Sequence, residues 1–354
     1  MSQVVDHLAE LTGFRDRDVM DVTLVTALRE LVQPASVAIY RPVGDEGKQR
    51  WLTRARLEEG QAVATADPVW ATFDSLPPVA SYPHRFECLR TGQFVQAEVD
   101  TPEGKRWAHH FPVAAGREVR GVIELIRPQA LDVGEQRLLS NVLRIYHNFQ
   151  GLLDYSERDT LTGLLNRKSF DESFLKALGE LAASTAHAPE PELDGADRRH
   201  STGRLHHVLG VIDIDHFKSV NDGFGHLIGD EVLLLLSRLM GSSFRFHDLL
   251  YRFGGEEFVV LMRCDENDHA GQAFERLRHN TESYAFPQVG RITISIGFTE
   301  MRPTDTPASA FERADKAVYY AKSHGRNQVQ NFETLVGHGE LEEAAEKASD
   351  VELF

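Results

Sequence analysis

Apolar residues recur at helical spacing over Asp18–Val32, where Val19, Val22, Leu24, Val25, Leu28 and Leu31 predict an amphipathic helix. Short apolar runs follow at Val37–Tyr40 and Trp51–Ala55, separated by the turn Gly44-Asp45-Glu46-Gly47, and read as strands. His109–Ala114 and Glu118–Arg127 form a hairpin pattern around Ala115-Gly116-Arg117. Beyond them Leu138, Val142, Ile145, Phe149 and Leu152 alternate at spacings of four and three, the a/d seam of a short coiled coil or a face packed on the preceding sheet. A second domain then begins. Its clearest elements are a strand ending Val211-Ile-Asp-Ile-Asp215 and a hairpin of Leu249–Tyr251 with Phe258–Met262. Gly254-Gly255 reads as the turn of that hairpin, with Glu256 and Glu257 opening the second strand.

The pattern gives an α+β chain of two domains, residues 1–132 and 159–332, joined by a signalling helix over 133–158. Residues 182–204 hold Pro, Gly, Asp, Arg and His without periodicity and read as a disordered loop. Residues 333–354 read as an acidic tail, a frayed helix from Gly337 on. At 354 residues the chain is long enough for two full cores. Cys88 and Cys264 are too few for a disulfide framework and suit a reducing cytosol. No apolar run reaches the roughly twenty residues of a membrane span, and Met1–Glu10 lacks a signal-peptide pattern, so a cytoplasmic location is expected. A net charge of −16 argues against binding to nucleic acid or anionic membrane.

Candidate chemistry gathers in the second domain. Asp213 and Asp215 end a strand, and Asn221, Asp222, Gly223, Gly225, His226, Gly229 and Asp230 follow closely. Carboxylates at a strand end near such a loop suit Mg²⁺ and phosphate, because Mg²⁺ takes hard oxygen ligands and shares its shell with substrate phosphates. Two acidic strand ends form the nucleus of a two-metal phosphoryl-transfer centre. Taken singly, hairpin glutamates are commonly just solvated, and an Asp-x-Asp at a strand end commonly caps a turn. In the first domain His84, Cys88, His109 and His110 match no metal spacing, and Trp70, Phe73, Trp107 and Phe111 read as core.

Six motifs stand in order over about Asp159 to Phe332. They are Asp159-Thr-Leu-Thr-Gly-Leu-Leu-Asn166-Arg167, Asp213-Ile-Asp-His-Phe-Lys218, and Asn221-Asp-Gly-Phe-Gly-His226 with Gly229-Asp230-Glu231. Gly254-Gly-Glu-Glu-Phe258, Ser295-Ile-Gly297 and Ala314-Asp315-Lys316-Ala317 through Tyr320-Ala-Lys322 to Gly325-Arg326-Asn327 complete the set. Together these motifs resemble the GGDEF family of diguanylate cyclases, and the resemblance implies a palm-like nucleotidyl cyclase with a ferredoxin-like βαββαβ core. It implies that Asp213, Glu256 and the carbonyl of Ile214 hold Mg²⁺ or Mn²⁺, two ions per site, and that Glu257 is the catalytic carboxylate. It makes Asn221 and Asp230 the guanine readers, and Phe217 and Lys218 part of a loop whose N–H groups cradle phosphates. Lys322 and Arg326 would reach the same phosphates, or else answer the dipole at a helix C-terminus. Glu256 stands where the family's name has Asp, which keeps the carboxylate.

The implied reaction joins two GTP into cyclic di-GMP and releases two pyrophosphates. Each domain binds one GTP, so a homodimer is required and the helical seam is read as its dimerisation element. Arg245-Phe-His-Asp248, five residues before Gly254, sits at the family's product-inhibition motif, with Arg276 in support, so cyclic di-GMP is expected as feedback inhibitor. The bland alternative is a surface ion pair. The first domain resembles a GAF sensor by element order, with a PAS-like sensor as the alternative, and would take a small ligand or protein that the sequence does not name. Rivals of another class are a non-catalytic cyclic di-GMP receptor and an enzyme making a different cyclic dinucleotide.

Overall fold

The computed structural model describes Ala9, Gly13 and residues 16–342, other than 45–46, 68–70, 103, 116–117, 187–205 and 265–266. Trp70, Asp45, Glu46, most of Met1–Glu10, residues 187–204 of the expected loop and 343–354 of the tail therefore lie outside the described residues. The chain divides into two compact units, Met1–Ser156 and Glu157–Phe354.

The first unit is an antiparallel five-stranded sheet with helices on both faces. Helix α1 (Arg17–Val32) starts at Asp16, whose carboxylate accepts from the N–H groups of Asp18 and Val19, as an N-cap should. Strands β1 (Ser36–Val43) and β2 (Arg50–Glu58) pair next, followed by helix α2 (Pro83–Thr91). Strands β3 (Val95–Thr101), β4 (Gly104–Ala115) and β5 (Glu118–Arg127) and helix α3 (Val133–Glu157) complete the unit. The strand order is β2-β1-β5-β4-β3.

Side chains alternate across β1: Val37 and Ile39 face a core shared with α1 and α3, while Ala38 and Tyr40 face one shared with Trp51 and Cys88. Val19 and Val22 are exposed on α1, whose inner face is instead Met20, Asp21, Leu24, Val25 and Leu28. On α3 the buried stripe is Leu139, Val142, Leu143, Tyr146, Gln150 and Leu153. It faces the unit's own sheet, and Leu152 of the expected seam is exposed. Asp21, fully buried, explains the polar part of that stripe. It accepts hydrogen bonds from the Tyr146 hydroxyl and, at 3.5 Å, from Gln150 Nε2. Arg54 Nε at 3.4 Å and Arg41 Nη2 at 3.5 Å complete its surroundings.

The second unit opens with strand β6 (Leu165–Asn166) and helix α4 (Arg167–Ala186), so the first residues of the expected 182–204 loop are helical. Then come β7 (His206–Ile214), α5 (Phe217–Phe224), α6 (His226–Ser243), β8 (Leu249–Gly254) and β9 (Glu257–Cys264). Helix α7 (Asn267–Ser283), β10 (Ile294–Glu300), α8 (Pro307–Ser323), β11 (Val329–Asn331) and α9 (Phe332–Gly337) follow. The sheet order is β11-β10-β7-β9-β8-β6, and the β7–β10 elements follow the βαββαβ sequence expected with the first crossover split into the two helices α5 and α6. Phe332 and Leu335 are buried against Ala317, so the unit runs past residue 332 into what the sequence reads as tail.

Because β7 is central, both its faces are apolar. Val208, Ile212 and Ile214 pack with α6 and α7, while Leu209 and Val211 pack with α4 and α8. By the period of two, Asp213 belongs to the α4/α8 face. Helix α8 lies almost on the backbone of β10: a Cβ added at Gly297 would stand 2.2 Å from the Ala314 carbonyl oxygen and 2.4 Å from Val318 N. The buried face of α8 is accordingly small, with Ala310, Ala314, Ala317 and Ala321.

Among the described residues no helix is long and apolar enough to cross a membrane.

Candidate active site

Register places the first two carboxylates. Asp213 near the end of β7 is the Cα partner of Glu257 at the start of β9. Directly opposed residues of an antiparallel pair project to the same face with Cβ atoms about 5 Å apart, so both side chains look toward α8. Glu256 sits in the β8–β9 turn, which is Gly255-Glu256 rather than the Gly-Gly expected. Gly255 takes φ 52°, the left-handed region a side chain resists. Arg252 braces this turn. Its Nη2 donates to the Gly255 carbonyl at 2.9 Å and its Nη1 to Asp159 Oδ1 at 3.1 Å. Asp159 also accepts from Thr162 N at 2.8 Å and Oγ1 at 2.7 Å, which fixes the receiving end.

The three acids share one electrostatic condition. Burial raises the Asp213 carboxyl above its ordinary range; the Lys322 ammonium only partly offsets this, and Asp215 and Asp315 add repulsion. Burial likewise raises Glu257, with Asp315 and Asp213 adding to it. For Glu256 burial again leads, then the charge of Asp213. Clustered carboxyls that resist ionisation form a site short of positive charge. Asp315, on α8, is a member of this cluster to which the sequence motifs assign no role.

Lys322, in the last turn of α8, places Nζ 2.8 Å from Asp213 Oδ1. Arg326 lies beyond the helix with φ 61°, so the pair does not share a helix face as their spacing suggests. Asp215, the other half of the Asp-x-Asp, is structural. It is buried and accepts from Thr293 Oγ1 at 2.7 Å, Ser295 Oγ at 2.7 Å and Asn327 N at 3.0 Å, tying β7 to β10 and to the segment after α8.

Phe217 and Lys218 are the first residues of helix α5, not part of a loop. His216, with φ 58°, turns the chain into the helix and provides no side-chain cap. The first-turn N–H groups of a helix have no intrahelical acceptor and carry its positive dipole end, a ready anion site. One turn on, Asn221 sits beside Gly229 of α6. A Cβ at 229 would lie 2.0 Å from Asn221 Oδ1, so the glycine makes the recess that the amide fills. Asp230, the next residue, is exposed.

The Arg245–Asp248 turn lies between α6 and β8. Asp248 Oδ2 accepts from Arg245 N at 2.8 Å, while its Oδ1 is buried without a hydrogen-bond partner. Burial pushes the Asp248 carboxyl up to about 6. Arg276 donates through Nε to the Ser243 carbonyl at 3.0 Å, beside that turn.

The donor set fits a hard divalent cation. Carboxyl oxygens predominate, they are short of positive charge, and Asp213 Oδ1 is buried with no hydrogen-bond donor in proper geometry. Among the described residues no three His, Cys, Asp or Glu side chains form a ligand group. His84, Cys88, His109 and His110 have other partners or surroundings. His109 Nε2 accepts from Leu131 N at 3.0 Å, and His110 bonds Glu124 at 3.0 Å. Cys88 is fully buried.

Residues 190–328 match the family described as diguanylate cyclase, GGDEF domain. Diguanylate cyclase DgcP of Pseudomonas aeruginosa is 38% identical over 175 residues, covering 49% of this chain and 23% of that protein. Response regulator PleD of Caulobacter vibrioides is 31% identical over 312 residues, 81% of this chain and 64% of the relative. The chain thus spans less than two thirds of these relatives' length. Among solved structures, the coiled coil and GGDEF domain of DgcB from Caulobacter crescentus, in complex with c-di-GMP, aligns at TM-score 0.47 and 28% identity, over 57% of this chain and all of that one.

Proposed function

We propose that this protein, whose residues 190–328 match the family described as diguanylate cyclase, GGDEF domain, is a diguanylate cyclase, condensing two GTP into cyclic di-GMP with release of two pyrophosphates. The observation that carries the reading is the opposition of Asp213 and Glu257 at one strand end, with Glu256 in the adjoining turn. Guanine docks against Asn221, whose amide the missing side chain of Gly229 admits, and this amide and the Asp230 carboxylate pair with its acceptors and N–H donors. Adenine would leave them unpaired, at a cost of about 1–3 kcal/mol per buried group. The N–H groups of Phe217 and Lys218 that open α5, with the side chains of Lys218, Lys322 and Arg326, receive the β- and γ-phosphates.

Asp213, Glu256 and the Ile214 carbonyl would hold Mg²⁺ or Mn²⁺, two ions by the family pattern. Bound there, the metal polarises the α-phosphoryl group and lowers the pKa of the attacking hydroxyl. Glu257, its own pKa raised by burial, accepts the proton of the 3′-hydroxyl. The oxygen–phosphorus bond forms as the bond to pyrophosphate breaks, once from each GTP. One domain holds one GTP, so two copies face each other during the reaction, and we assign the exposed face of α3, with Leu152 and Tyr155, to that pairing. The first unit, antiparallel with helices on both faces, fits a GAF-like sensor that sets how often the active sites meet. Product inhibition is assigned to Arg245, Asp248 and Arg276, where the unpartnered Asp248 Oδ1 would accept from guanine N–H groups.

The test is incubation of the pure protein with Mg²⁺ and GTP, then with ATP, followed by separation of products. Cyclic di-GMP from GTP alone, absent with Glu257→Gln, is the expected result. No product from either nucleotide, with cyclic di-GMP still bound, would make the chain a receptor instead.

A further inference from the structure

The Lys322 ammonium lies against the Asp213 carboxylate, the group that would hold the metal. Its Nζ is 2.8 Å from Asp213 Oδ1, an oxygen otherwise buried and without a hydrogen-bond donor in proper geometry. Asp213 is largely withdrawn from solvent, with 15% of its side chain exposed, so this charge pair is poorly screened. The lysine is also delivered by a rigid support. Helix α8 rests on β10 at Gly297 with its backbone in contact, and Ala321, next to Lys322, is fully buried. Glu256 and Glu257 feel the same ammonium. A divalent ion on Asp213 Oδ1 and an ammonium at hydrogen-bond distance from that oxygen would be like charges sharing one ligand atom, and they would repel strongly.

We propose that Lys322 is a built-in counter-ion for the metal site, holding Asp213 until nucleotide phosphates draw the ammonium away. Free enzyme then binds the divalent ion poorly, and ion and nucleotide load together. This rests on the cyclase reading, and it adds an order to the loading that the reading alone does not contain. The lysine has two anionic partners in succession, Asp213 before loading and phosphate after it. Asp213 thus faces a cation at every stage, first a monovalent and then a divalent one. A site so arranged avoids holding a metal without its substrate.

The probe is Mn²⁺, followed by the loss of the free-ion paramagnetic resonance signal, with the full chain and without nucleotide. Lys322→Met is expected to bind Mn²⁺ at least tenfold more tightly than the parent protein, and Lys322→Arg, which keeps the charge, to stay near it. Adding Asp213→Asn to Lys322→Met should abolish the gain. Addition of a non-hydrolysable GTP analogue should tighten Mn²⁺ binding in the parent protein and much less in Lys322→Met. Thermal melting supplies a second readout: Mn²⁺ should raise the midpoint of Lys322→Met more than that of the parent. Equal or weaker Mn²⁺ binding by Lys322→Met, with Asp213→Asn still lowering affinity in the presence of the analogue, would overturn the counter-ion role and leave the cyclase reading intact. No Mn²⁺ binding by any form, with or without analogue, would remove both.

Discussion

Asn221 occupies the space that a side chain at residue 229 would need: its Oδ1 stands 2.0 Å from the Cβ position of Gly229. A helix on one side therefore dictates the residue on the next. Gly229→Ala must push the amide out of the recess, although alanine suits the interior of α6 better than glycine does. We expect the KM for GTP to rise about tenfold, for one lost hydrogen-bonding group of about 1–3 kcal/mol, with little change in melting temperature. Steady-state kinetics beside a thermal melt checks this. A melting temperature that collapses would mean that the contact is structural rather than a recess for base.

Glu257→Gln keeps the shape of the strand end and removes the proton acceptor. Turnover should fall by about 10²–10⁴, the usual worth of a positioned general base, while GTP binding holds. Measuring pyrophosphate release and equilibrium GTP binding on the same variant separates the two. A loss of less than tenfold would move the proton to another acceptor.

Asp248 gives a pH dependence of stability with a definite sign. Its native carboxyl titrates at about 6 because burial outweighs the donated Arg245 N–H and the charges of Arg245 and Arg276. The unfolded value is about 3.9. The native state thus holds the proton more tightly, so this residue favours folding below about pH 4, and the advantage drains away as pH rises toward 6. Asp248→Asn should remove that slope and leave the variant more stable at pH 7–8 by about 3 kcal/mol. Urea titrations of both proteins from pH 4 to 8 measure it, and parallel curves would refute the burial cost.

In the first unit, Asp21 is the only carboxylate among the described residues that meets Tyr146, Gln150, Arg41 and Arg54 together. Asp21→Ala strands buried partners, Arg41 above all, and should cost about 3–5 kcal/mol. Denaturant unfolding followed by tryptophan fluorescence, to which buried Trp51 contributes, reads this unit.

These same residues show where sequence reading reaches its limit. The β8–β9 hairpin and strands β1, β2, β4 and β5 were legible because each is a local apolar period beside a turn. Helix α2 was not: its buried residues are Arg85 and Cys88. An arginine enters a core only because Glu124 bonds it at 2.9 Å and Tyr40 lies 3.5 Å from its guanidinium. No count of apolar positions reveals such partners. On α3 the expected Val142, Ile145 and Phe149 do pack on the sheet, one of the two readings of the seam, but Tyr146 and Gln150 escaped notice because they are buried through a carboxylate more than a hundred residues earlier. Strand β3 did carry its signal, Val95, Ala97 and Val99 alternating with polar residues, but as a half-exposed edge it is easily read as loop.

At the site, motif order brought Asp213, Glu256, Glu257, Asn221 and Asp230 into view through resemblance. The pairings of Lys322 with Asp213 and of Arg252 with Asp159 depend on the sheet and on where α8 lands, and spacing alone could not supply them.

Gly297 has a use outside the enzyme itself. Any side chain there would lift α8 from β10, and with it go Asp315 and Lys322, one acid and one base on a single lever. A chain with a side chain at that position keeps every letter of its hairpin and still loses the site. Position 297 is thus a place to look when sorting working copies from decayed ones by sequence, and it lies far from the letters by which such chains are usually judged.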